Sequence, residues 1–359
     1  MESLVNIFDF EREAARRLPK PVLDYYAGGA LDEVTLRENR AAYDRIPLYF
    51  RALADVRNVS LATSVLDTPV SMPVLVAPTA FHCMAHADGE LATARAAAAA
   101  ETLMVVSTLS NTGVEEISAA SAGPLWFQLY VYKDREATRD LIARVESTRC
   151  SAIVLTVDAP LLGPRERDVR NCFSLPDGLS VKNLLGAGQG IVFKETFGSG
   201  LAKYVSTFID PAISWRDVEW LQSVTRLPLI IKGIVRADDA RRAVDMGVRG
   251  IIVSNHGGRQ LDTSPATIEA LPYVVDAVDG DVEVLVDGGV RRGIDVIKAL
   301  ALGARAVLVG RPVLWGLAVE GEAGVTRVLE ILRAELANGL GLCGYSSVGE
   351  VDETLLGPE

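Results

Sequence analysis

Gly250-Ile251-Ile252-Val253 is a short apolar run that ends directly in Ser254-Asn255-His256-Gly257-Gly258-Arg259. It is apolar on both faces and rich in β-branched side chains, which is typical of a buried strand in a parallel sheet. Seven further runs share this length and character. They are Met72–Ala77, Leu103–Val106, Leu125–Leu129, Ala152–Leu155, Leu227–Ile231, Val282–Val286 and Ala306–Val309. The sequence therefore predicts eight buried strands.

Helix-forming segments lie between these runs. Asp88–Ala100 is rich in alanine, and Asn111–Ala120 begins with a residue suited to cap a helix. Asp134–Glu146 follows the third run. Ala237–Met246 and Gly293–Leu302 are each followed by a glycine, as the C-terminal ends of helices often are. Eight strands alternating with helices predict an α/β fold, the TIM (β/α)8 barrel.

The spacing of the runs predicts a single domain over residues 1–359, with the barrel at about 70–320. The barrel is preceded by an N-terminal helical extension that includes a helix at Phe10–Leu18. A long insertion at about 159–226 follows the fourth strand, and its part 186–200 is rich in glycine. Such insertions often form a lid over the active site. An ordinary surface excursion is the alternative.

Composition and charge exclude several classes of function. The 359-residue chain has 36 Lys and Arg against 47 Asp and Glu, a net charge of −11, so it is a poor partner for nucleic acid or an anionic membrane surface. No uncharged apolar run reaches about 18 residues, so we expect no membrane span. The four cysteines form no Cys-x-x-Cys pair, and the first residues lack the features of a signal peptide. We therefore expect a cytoplasmic protein with reduced cysteines.

The residues that follow the strands are candidates for the active site. Active sites in (β/α)8 barrels are built at the C-terminal ends of the strands, so these residues should converge. They are Pro78, Thr79, Ala80, Ser107, Thr108, Gln128, Tyr130, Thr156, Asp158, Lys232, the segment from Ser254 to Arg259, Asp287, Gly288, Gly289, Gly310 and Arg311. Gathering so many charged and polar side chains at one end of the barrel predicts an enzyme.

The loops after the seventh and eighth strands predict a phosphate site. They read Asp287-Gly288-Gly289-Val290-Arg291-Arg292-Gly293 and Gly310-Arg311-Pro312. Barrels of this type commonly bind phosphate there. Glycines let backbone N–H groups approach an anion, and arginines add bidentate charge. The alternative is that the glycines make tight turns and that Arg291 and Arg311 are solvated surface residues.

His256 is one of three histidines, and it stands three residues before Arg259. Asp158 follows the fourth strand and could hold the imidazole and stabilise its protonated form. We interpret His256 as a catalytic base, with a structural histidine as the alternative. His82 and His86 are four residues apart, but no Glu completes a zinc signature, so we expect no metal.

At these residues the sequence resembles the FMN-dependent α-hydroxy acid oxidase and dehydrogenase family, which includes glycolate oxidases, lactate oxidases and mandelate dehydrogenases. The resemblance runs from Leu18 to about Gly349. The motifs that carry it are Asp24-Tyr25-Tyr26-Ala27-Gly28-Gly29-Ala30, Ala77-Pro78-Thr79-Ala80, Phe127-Gln128-Leu129-Tyr130, Leu155-Thr156-Val157-Asp158, Ser254-Asn255-His256-Gly257-Gly258-Arg259-Gln260-Leu261-Asp262 and Asp287-Gly288-Gly289-Val290-Arg291-Arg292-Gly293.

The resemblance implies a role for each matching residue. His256 would be the base paired with Asp158, Tyr130 would contact the substrate hydroxyl, and Lys232 would lie beside N1 and O2 of the flavin. The substrate carboxylate would be held by Tyr25, Arg165 and Arg259. The cofactor would be contacted by Pro78, Thr79, Ala80, Ser107, Gln128, Thr156, Lys232, Ser254, Asp287, Gly289, Arg291, Gly310 and Arg311.

The resemblance also implies FMN as cofactor and oxidation of an (S)-2-hydroxy acid to the 2-keto acid, with O2 converted to H2O2, in a homotetramer or octamer. Leu109 replaces a bulky aromatic residue of the glycolate oxidases, and Leu161 and Pro164 replace basic residues. We therefore expect an apolar side-chain pocket that takes acids larger than glycolate, such as lactate, longer 2-hydroxy acids or mandelate. Ala80 favours an oxidase over a monooxygenase.

Several alternatives stay open from the sequence. One is a soluble or quinone-linked 2-hydroxy acid dehydrogenase, although no membrane-docking segment is evident in residues 159–226. A second is another FMN barrel enzyme, such as an isomerase. A third is a barrel without flavin that acts on phosphorylated sugars, and a fourth is a non-catalytic protein that binds FMN.

Overall fold

The computed structural model describes residues 3–184 and 197–357. Its strands are β1 (Thr63–Val65), β2 (Thr68–Val70), β3 (Val74–Val76), β4 (Met104–Ser107), β5 (Leu125–Leu129), β6 (Cys150–Thr156), β7 (Leu229–Ile234), β8 (Gly250–Val253), β9 (Glu283–Asp287) and β10 (Ala306–Val309). Its α-helices are α1 (Ile7–Arg17), α2 (Lys20–Ala27), α3 (Val34–Asp44), α4 (Gly89–Ala99), α5 (Val114–Ala120), α6 (Arg135–Glu146), α7 (Glu166–Arg170), α8 (Gly200–Phe208), α9 (Trp215–Val224), α10 (Ala237–Asp245), α11 (Thr267–Val278), α12 (Gly293–Ala301) and α13 (Arg311–Leu342).

Strands β3 to β10 close into a parallel barrel in the order β10-β3-β4-β5-β6-β7-β8-β9. At least one helix separates each of these strands from the next along the chain. The (β/α)8 barrel predicted from the eight apolar runs is therefore confirmed. No helix within the described ranges is both long enough and apolar enough to span a membrane.

The barrel interior is an apolar core of its own. Leu75, Val154 and Ile252 belong to a fully buried cluster with the inner residues of the other barrel strands. The antiparallel pair β1 and β2 adds Val65 and Val70 to the same cluster. This hairpin lies at the N-terminal ends of the barrel strands, where the N–H of Leu66 donates to Glu283 at the start of β9. The polar candidate residues lie at the opposite, C-terminal ends.

The strand register aligns polar residues at the C-terminal ends. Ser107 of β4 is paired with Gln128 of β5, and Thr156 of β6 is paired with Lys232 of β7. Residues paired across adjacent strands have side chains on the same face of the sheet. This register is what brings distant parts of the sequence together at one rim.

The predicted helices are present, with one wrong detail. Asp134 caps α6 by accepting hydrogen bonds from the N–H groups of Glu136 and Ala137. Asn111 does not cap α5, whose N-cap residue is Gly113. The N–H of Asn111 donates to Glu90 at 2.9 Å and its amide nitrogen donates to the carbonyl of Ser180 at 3.0 Å, while its Oδ1 has no hydrogen-bond partner among the described residues.

Helices α7, α8 and α9 occupy the predicted insertion between β6 and β7. The segment 185–196, which includes much of the glycine-rich stretch, lies outside the described residues. The lid therefore stays a prediction. The N-terminal extension contains α1, which begins three residues before the predicted helix at Phe10–Leu18 and ends at Arg17, with Leu18 as its C-cap residue. Asn6 and Asp9 form a capping box at its start.

Candidate active site

A cavity of about 1130 Å³ opens at the C-terminal end of the barrel. Most of the predicted site residues line it: Tyr25, Pro78, Thr79, Ala80, Ser107, Tyr130, Arg165, Lys232, His256, Arg259, Asp287, Gly289, Arg291, Gly310 and Arg311. That volume includes space open to solvent, and the lining includes residues on or shortly after each of the eight barrel strands. Asp158, Gln128 and Ser254 do not line the cavity, but each forms a hydrogen bond with a residue that does, and Thr156 accepts a hydrogen bond from Gln128.

His256 is held by Asp158. Nδ1 of the imidazole lies 2.9 Å from Oδ1 of Asp158, and Nε2 lies 3.5 Å from the hydroxyl of Tyr130 inside the cavity. Burial lowers the pKa of His256, while the charge of Asp158 opposes that shift. An imidazole with Nδ1–H donated to a carboxylate has its lone pair on Nε2. The arrangement places a proton acceptor in the cavity.

The backbone around His256 is in an uncommon conformation. His256 has a φ of +59° and precedes two glycines with positive φ. Its N–H donates to Oγ of Ser254 at 3.1 Å. A non-glycine residue in the left-handed region at a functional site must be held there by its surroundings. The Ser254 contact and the Asp158 bond supply two such restraints.

Asp158 can approach His256 only because Gly233 has no side chain. A Cβ atom on Gly233 would lie 2.7 Å from Cβ of Asp158, and Gly233 has a φ of +111°. The second oxygen of Asp158, Oδ2, is buried and has no hydrogen-bond partner among the described residues. Burial raises the pKa of the Asp158 carboxyl, but the nearby His256 and Lys232 outweigh it and lower the pKa overall. The carboxylate is therefore ionised at neutral pH.

Lys232 is a buried cation with two partners. Its Nζ donates to Oγ of Ser254 at 2.7 Å and lies 3.0 Å from Oδ2 of Asp287. Burial alone would lower the pKa of Lys232, but Asp287 and Asp158 raise it. Lys232 is therefore charged. Since Ser254 also accepts from the N–H of His256, one serine connects the lysine to the base.

Four arginines line the cavity, and their hydrogen bonds go to uncharged carbonyl groups. Arg259 donates to the carbonyls of Tyr25 and Gly28, and Arg311 donates to those of Tyr26, Gly257 and Gly28. The bonds of Arg165 and Arg291 also go to carbonyl oxygens. Burial lowers the pKa of Arg165 to about 10 and also lowers that of Arg291. Cations that are withdrawn from water and hydrogen-bonded only to carbonyl groups are stabilised by a bound anion, so this cavity favours anions.

The arginines come from different loops of the barrel rim, and Arg259 and Arg311 donate to the same carbonyl oxygen, that of Gly28. Arg291 and Arg311 belong to the loops after β9 and β10, next to Gly289 and Gly310. Arg165 and Arg259 lie near Tyr25, with the Arg259 guanidinium 4.8 Å from the centre of the Tyr25 ring. Tyr25 is stacked on Phe173 at 4.4 Å between ring centres, which restricts its movement. Four cationic side chains from different loops could thus hold more than one anionic group.

A polar chain lies behind Ser107. Oγ of Ser107 donates to Oε1 of Gln128 at 3.4 Å, and Nε2 of Gln128 donates to Oγ1 of Thr156 at 3.0 Å. All three side chains are buried. Ser107 lines the cavity and Gln128 and Thr156 do not, so their contact with the cofactor stays a prediction.

One part of the cavity wall is apolar. Leu109 and Leu162 lie on loops of the barrel, and Leu201, Val205 and Ile209 come from α8 and the residue after it. The expectation for Leu161 and Pro164 is wrong, because neither lines the cavity and both are exposed, Leu161 at 69%. Leu162 takes the inward position. The residues of α8 were missed because their spacing indicates only an amphipathic helix, and nothing local shows what that helix faces.

Comparison with known proteins agrees with this geometry. The chain matches the family model for FMN-dependent dehydrogenases over residues 14–358. It is 52% identical to an L-lactate oxidase of Nostoc sp. over 99% of each chain, and 52% identical to glycolate oxidase 3 of Arabidopsis thaliana over 98% of this chain and 95% of that one.

A solved structure is similar over nearly the whole chain. The crystal structure of a mandelate oxidase with (S)-4-hydroxymandelic acid superposes with a TM-score of 0.93 at 45% identity, covering 97% of each chain. The relatives thus differ in the acid that each is named for, while the barrel is shared.

Proposed function

The chain belongs to the FMN-dependent dehydrogenase family, and from this premise we propose that it oxidises (S)-2-hydroxy acids to 2-keto acids, with O2 converted to H2O2. The observation that carries the proposal is the pairing of His256 with Asp158 in the same cavity as four arginines whose hydrogen bonds go to carbonyl oxygens. The relatives named above support an oxidase, since lactate, glycolate and mandelate are all 2-hydroxy acids.

The residues of the cavity fit FMN. The phosphate would be held by Arg291, Arg311 and the glycine loops after β9 and β10, which gather N–H groups and positive charge. Asp287 supports the placement of FMN in this cavity, because its Oδ1 is buried with no hydrogen-bond partner among the described residues. A ribityl hydroxyl would satisfy that oxygen. Lys232 is a fixed cation that would favour negative charge on the ring.

Substrate orientation is proposed to come from Arg259, Arg165 and Tyr25. A planar guanidinium binds a carboxylate through two parallel hydrogen bonds, which fixes direction as well as position. Burial raises the pKa of Tyr25, so its phenol stays protonated and can donate. With the carboxylate fixed by these residues, the hydroxyl-bearing carbon would be presented to His256 and Tyr130. A site that holds the carboxylate, the hydroxyl group and the carbon that carries it would distinguish the two enantiomers of the acid.

His256 is proposed as the base. Its Nε2 takes a proton from the substrate, and the resulting imidazolium is stabilised by the Asp158 carboxylate at Nδ1. Burial raises the pKa of Tyr130, so its hydroxyl remains protonated and can donate to the substrate oxygen. FMN, when bound, supplies the acceptor for the two electrons and for the second proton. The chain's own contribution is to bind and orient the acid and to hold the proton.

The apolar part of the wall supports a substrate larger than glycolate. Leu109, Leu162 and the α8 residues form an apolar part of the cavity wall, against which a substrate side chain larger than hydrogen would pack. Burying a methyl or phenyl group there would be favourable at about 25 cal/mol per Å² of apolar area. We therefore expect lactate, longer 2-hydroxy acids or mandelate to be preferred. The homotetramer or octamer, the cytoplasmic location and the absence of a membrane partner stay predictions.

Anaerobic mixing of the flavin-loaded protein with a panel of 2-hydroxy acids tests the proposal. Loss of flavin absorbance is expected with (S)-enantiomers and not with (R)-enantiomers, followed by one equivalent of H2O2 when O2 is admitted. No loss with any acid would contradict the proposal. Loss of flavin absorbance that is not followed by H2O2 when O2 is admitted would favour the soluble or quinone-linked dehydrogenase instead.

A further inference from the structure

The loop after β3 contains a buried histidine that the proposed mechanism does not use. His82 is 1% exposed, and its Nε2 lies 2.6 Å from the hydroxyl oxygen of Thr79. Thr79 lines the cavity. His82 therefore contacts the site from behind, through one hydroxyl group.

The second ring nitrogen of His82 fixes which way its hydrogen bonds run. Nδ1 lies 2.9 Å from Oγ1 of Thr93, and that hydroxyl donates its single proton to the carbonyl of Gly89 at 3.3 Å. Thr93 must then accept from His82, so the ring carries its proton on Nδ1. Burial lowers the pKa of His82, although the charge of Glu90 and the backbone of Thr79 oppose that shift. A neutral ring that carries its proton on Nδ1 has its lone pair on Nε2. Thr79 must donate its own proton to Nε2.

Glu90 holds this arrangement in place. Its Oε1 accepts from the N–H of His82 at 3.2 Å and from the N–H of Asn111 at 2.9 Å, and its Oε2 accepts from the hydroxyl of Thr112 at 3.0 Å. Glu90 is fully buried on α4. It thereby joins the loop after β3 to the loop after β4, and the position of the His82 backbone is fixed by contacts from both.

We propose that His82 is a positioning residue that makes Thr79 a hydrogen-bond acceptor toward the cofactor cavity. With its proton directed at Nε2, the Thr79 hydroxyl presents only lone pairs to the cavity. It therefore favours an N–H or O–H group of the bound cofactor and disfavours a carbonyl oxygen. This inference rests on the cofactor site proposed above, and it concerns one hydrogen-bond direction within that site.

The direct test is the ring tautomer of His82 in the flavin-loaded protein. With three histidines in the chain, ¹⁵N-labelled histidine gives few ring signals, and their ¹⁵N shifts report which nitrogen is protonated. We expect Nδ1–H for His82. A ring protonated at Nε2 overturns the proposal without any substitution having been made, and it leaves the proposed function intact.

Thr93→Val tests the consequence for the cofactor. Valine has nearly the same shape as threonine but no acceptor, so the His82 ring is expected to move its proton to Nε2 and to force Thr79 to turn its own proton toward the cavity. Release of FMN on dilution, followed by flavin fluorescence, should become about three- to tenfold faster, the effect of one misdirected hydrogen bond. Release at the wild-type rate would overturn the proposal whatever the tautomer.

Two matched variants separate positioning from packing. Thr93→Ser keeps the hydroxyl, and His82→Gln keeps one acceptor and one donor, so both should release FMN within about twofold of the wild-type rate. His82→Leu should behave like Thr93→Val. If Thr93→Ser and His82→Gln release FMN as fast as Thr93→Val and His82→Leu, the role is one of packing and the proposal fails. A wild-type protein that does not retain FMN would instead refute the cofactor site itself.

Discussion

Asp158 and His256 are joined by a single hydrogen bond of 2.9 Å between Oδ1 and Nδ1, although they stand 98 residues apart in the chain. Residues Asp158 and His256 follow barrel strands β6 and β8, with β7 between them. The bond fixes the imidazole so that Nε2 faces Tyr130. Because the carboxylate is buried and ionised, it should also control how readily His256 accepts a proton.

Asp158→Asn should reduce kcat/KM by about 10²-fold, since asparagine keeps an acceptor oxygen but no longer stabilises the imidazolium. Burial lowers the pKa of His256 and the Asp158 charge opposes this, so removing the charge lowers the pKa further. The neutral ring is the active form. The acid limb of the kcat/KM profile should therefore move to lower pH, and a limb that stays or moves to higher pH would contradict the pairing.

His256→Asn should keep the fold and FMN but reduce kcat by about 10³-fold, because the variant has no base. Asparagine is chosen since it tolerates positive φ better than most residues, and His256 has a φ of +59°. Flavin content and the rate of anaerobic flavin reduction are the measurements. His86→Asn is the control, since His86 is outside the cavity lining. Loss of FMN from His256→Asn would indicate a structural role.

Arg259→Lys should raise KM for the 2-hydroxy acid and reduce kcat/KM by about 10²-fold. Lysine keeps the charge but cannot form the planar pair of hydrogen bonds that orients a carboxylate. Steady-state kinetics and inhibition by a 2-keto acid measure the change. Arg139→Lys is a suitable control, since Arg139 is a surface residue paired with Glu136. An unchanged KM would remove Arg259 from the proposed clamp.

Much of this site could be predicted from the sequence because its residues directly follow buried strands. Once the eight runs are assigned to one barrel, the residues after them, from Thr79 to Arg311, must share a rim. The grouping of His256 with Asp158 follows from that topology and needs no knowledge of side-chain contacts. The identity of the acid does not follow in the same way.

Leu161 and Leu162 show a feature that the local sequence does not predict, namely which of two neighbouring leucines faces the cavity. Which of the two faces the cavity depends on Gly163, whose N–H donates to Oε1 of Gln260 at 3.0 Å. A Cβ atom on Gly163 would lie 2.4 Å from the carbonyl oxygen of Arg259. That contact spans almost a hundred residues, so the direction of the loop is a tertiary property that neighbouring residues do not encode.

Gly233→Ala should destabilise the protein by about 2–4 kcal/mol and weaken the Asp158–His256 bond. The added Cβ would lie 2.7 Å from Cβ of Asp158, and the φ of +111° is strained for alanine. Gly280→Ala is the matched control, because Gly280 also has a positive φ but nothing lies within 4 Å of the added atom. It should cost only about 1 kcal/mol. Denaturant unfolding compares the two, and equal losses would refute the steric argument.

Leu109→Trp should change which acid is preferred. Leu109 is 6% exposed and lines the apolar part of the cavity, so an indole there would occupy the space proposed for the substrate side chain. We expect kcat/KM for mandelate to fall at least tenfold. The value for glycolate should change little, because glycolate has only a hydrogen atom where mandelate has its phenyl group.

Leu161→Trp is the control for Leu109→Trp, because Leu161 carries the same side chain at 69% exposure outside the cavity. It should leave the ratio of the two specificity constants unchanged. A uniform fall for both acids in Leu109→Trp would mean that the indole disturbs the cofactor or the base. An unchanged ratio in Leu109→Trp would mean that the substrate side chain lies elsewhere, and the α8 residues Leu201 and Val205 would then be the ones to replace.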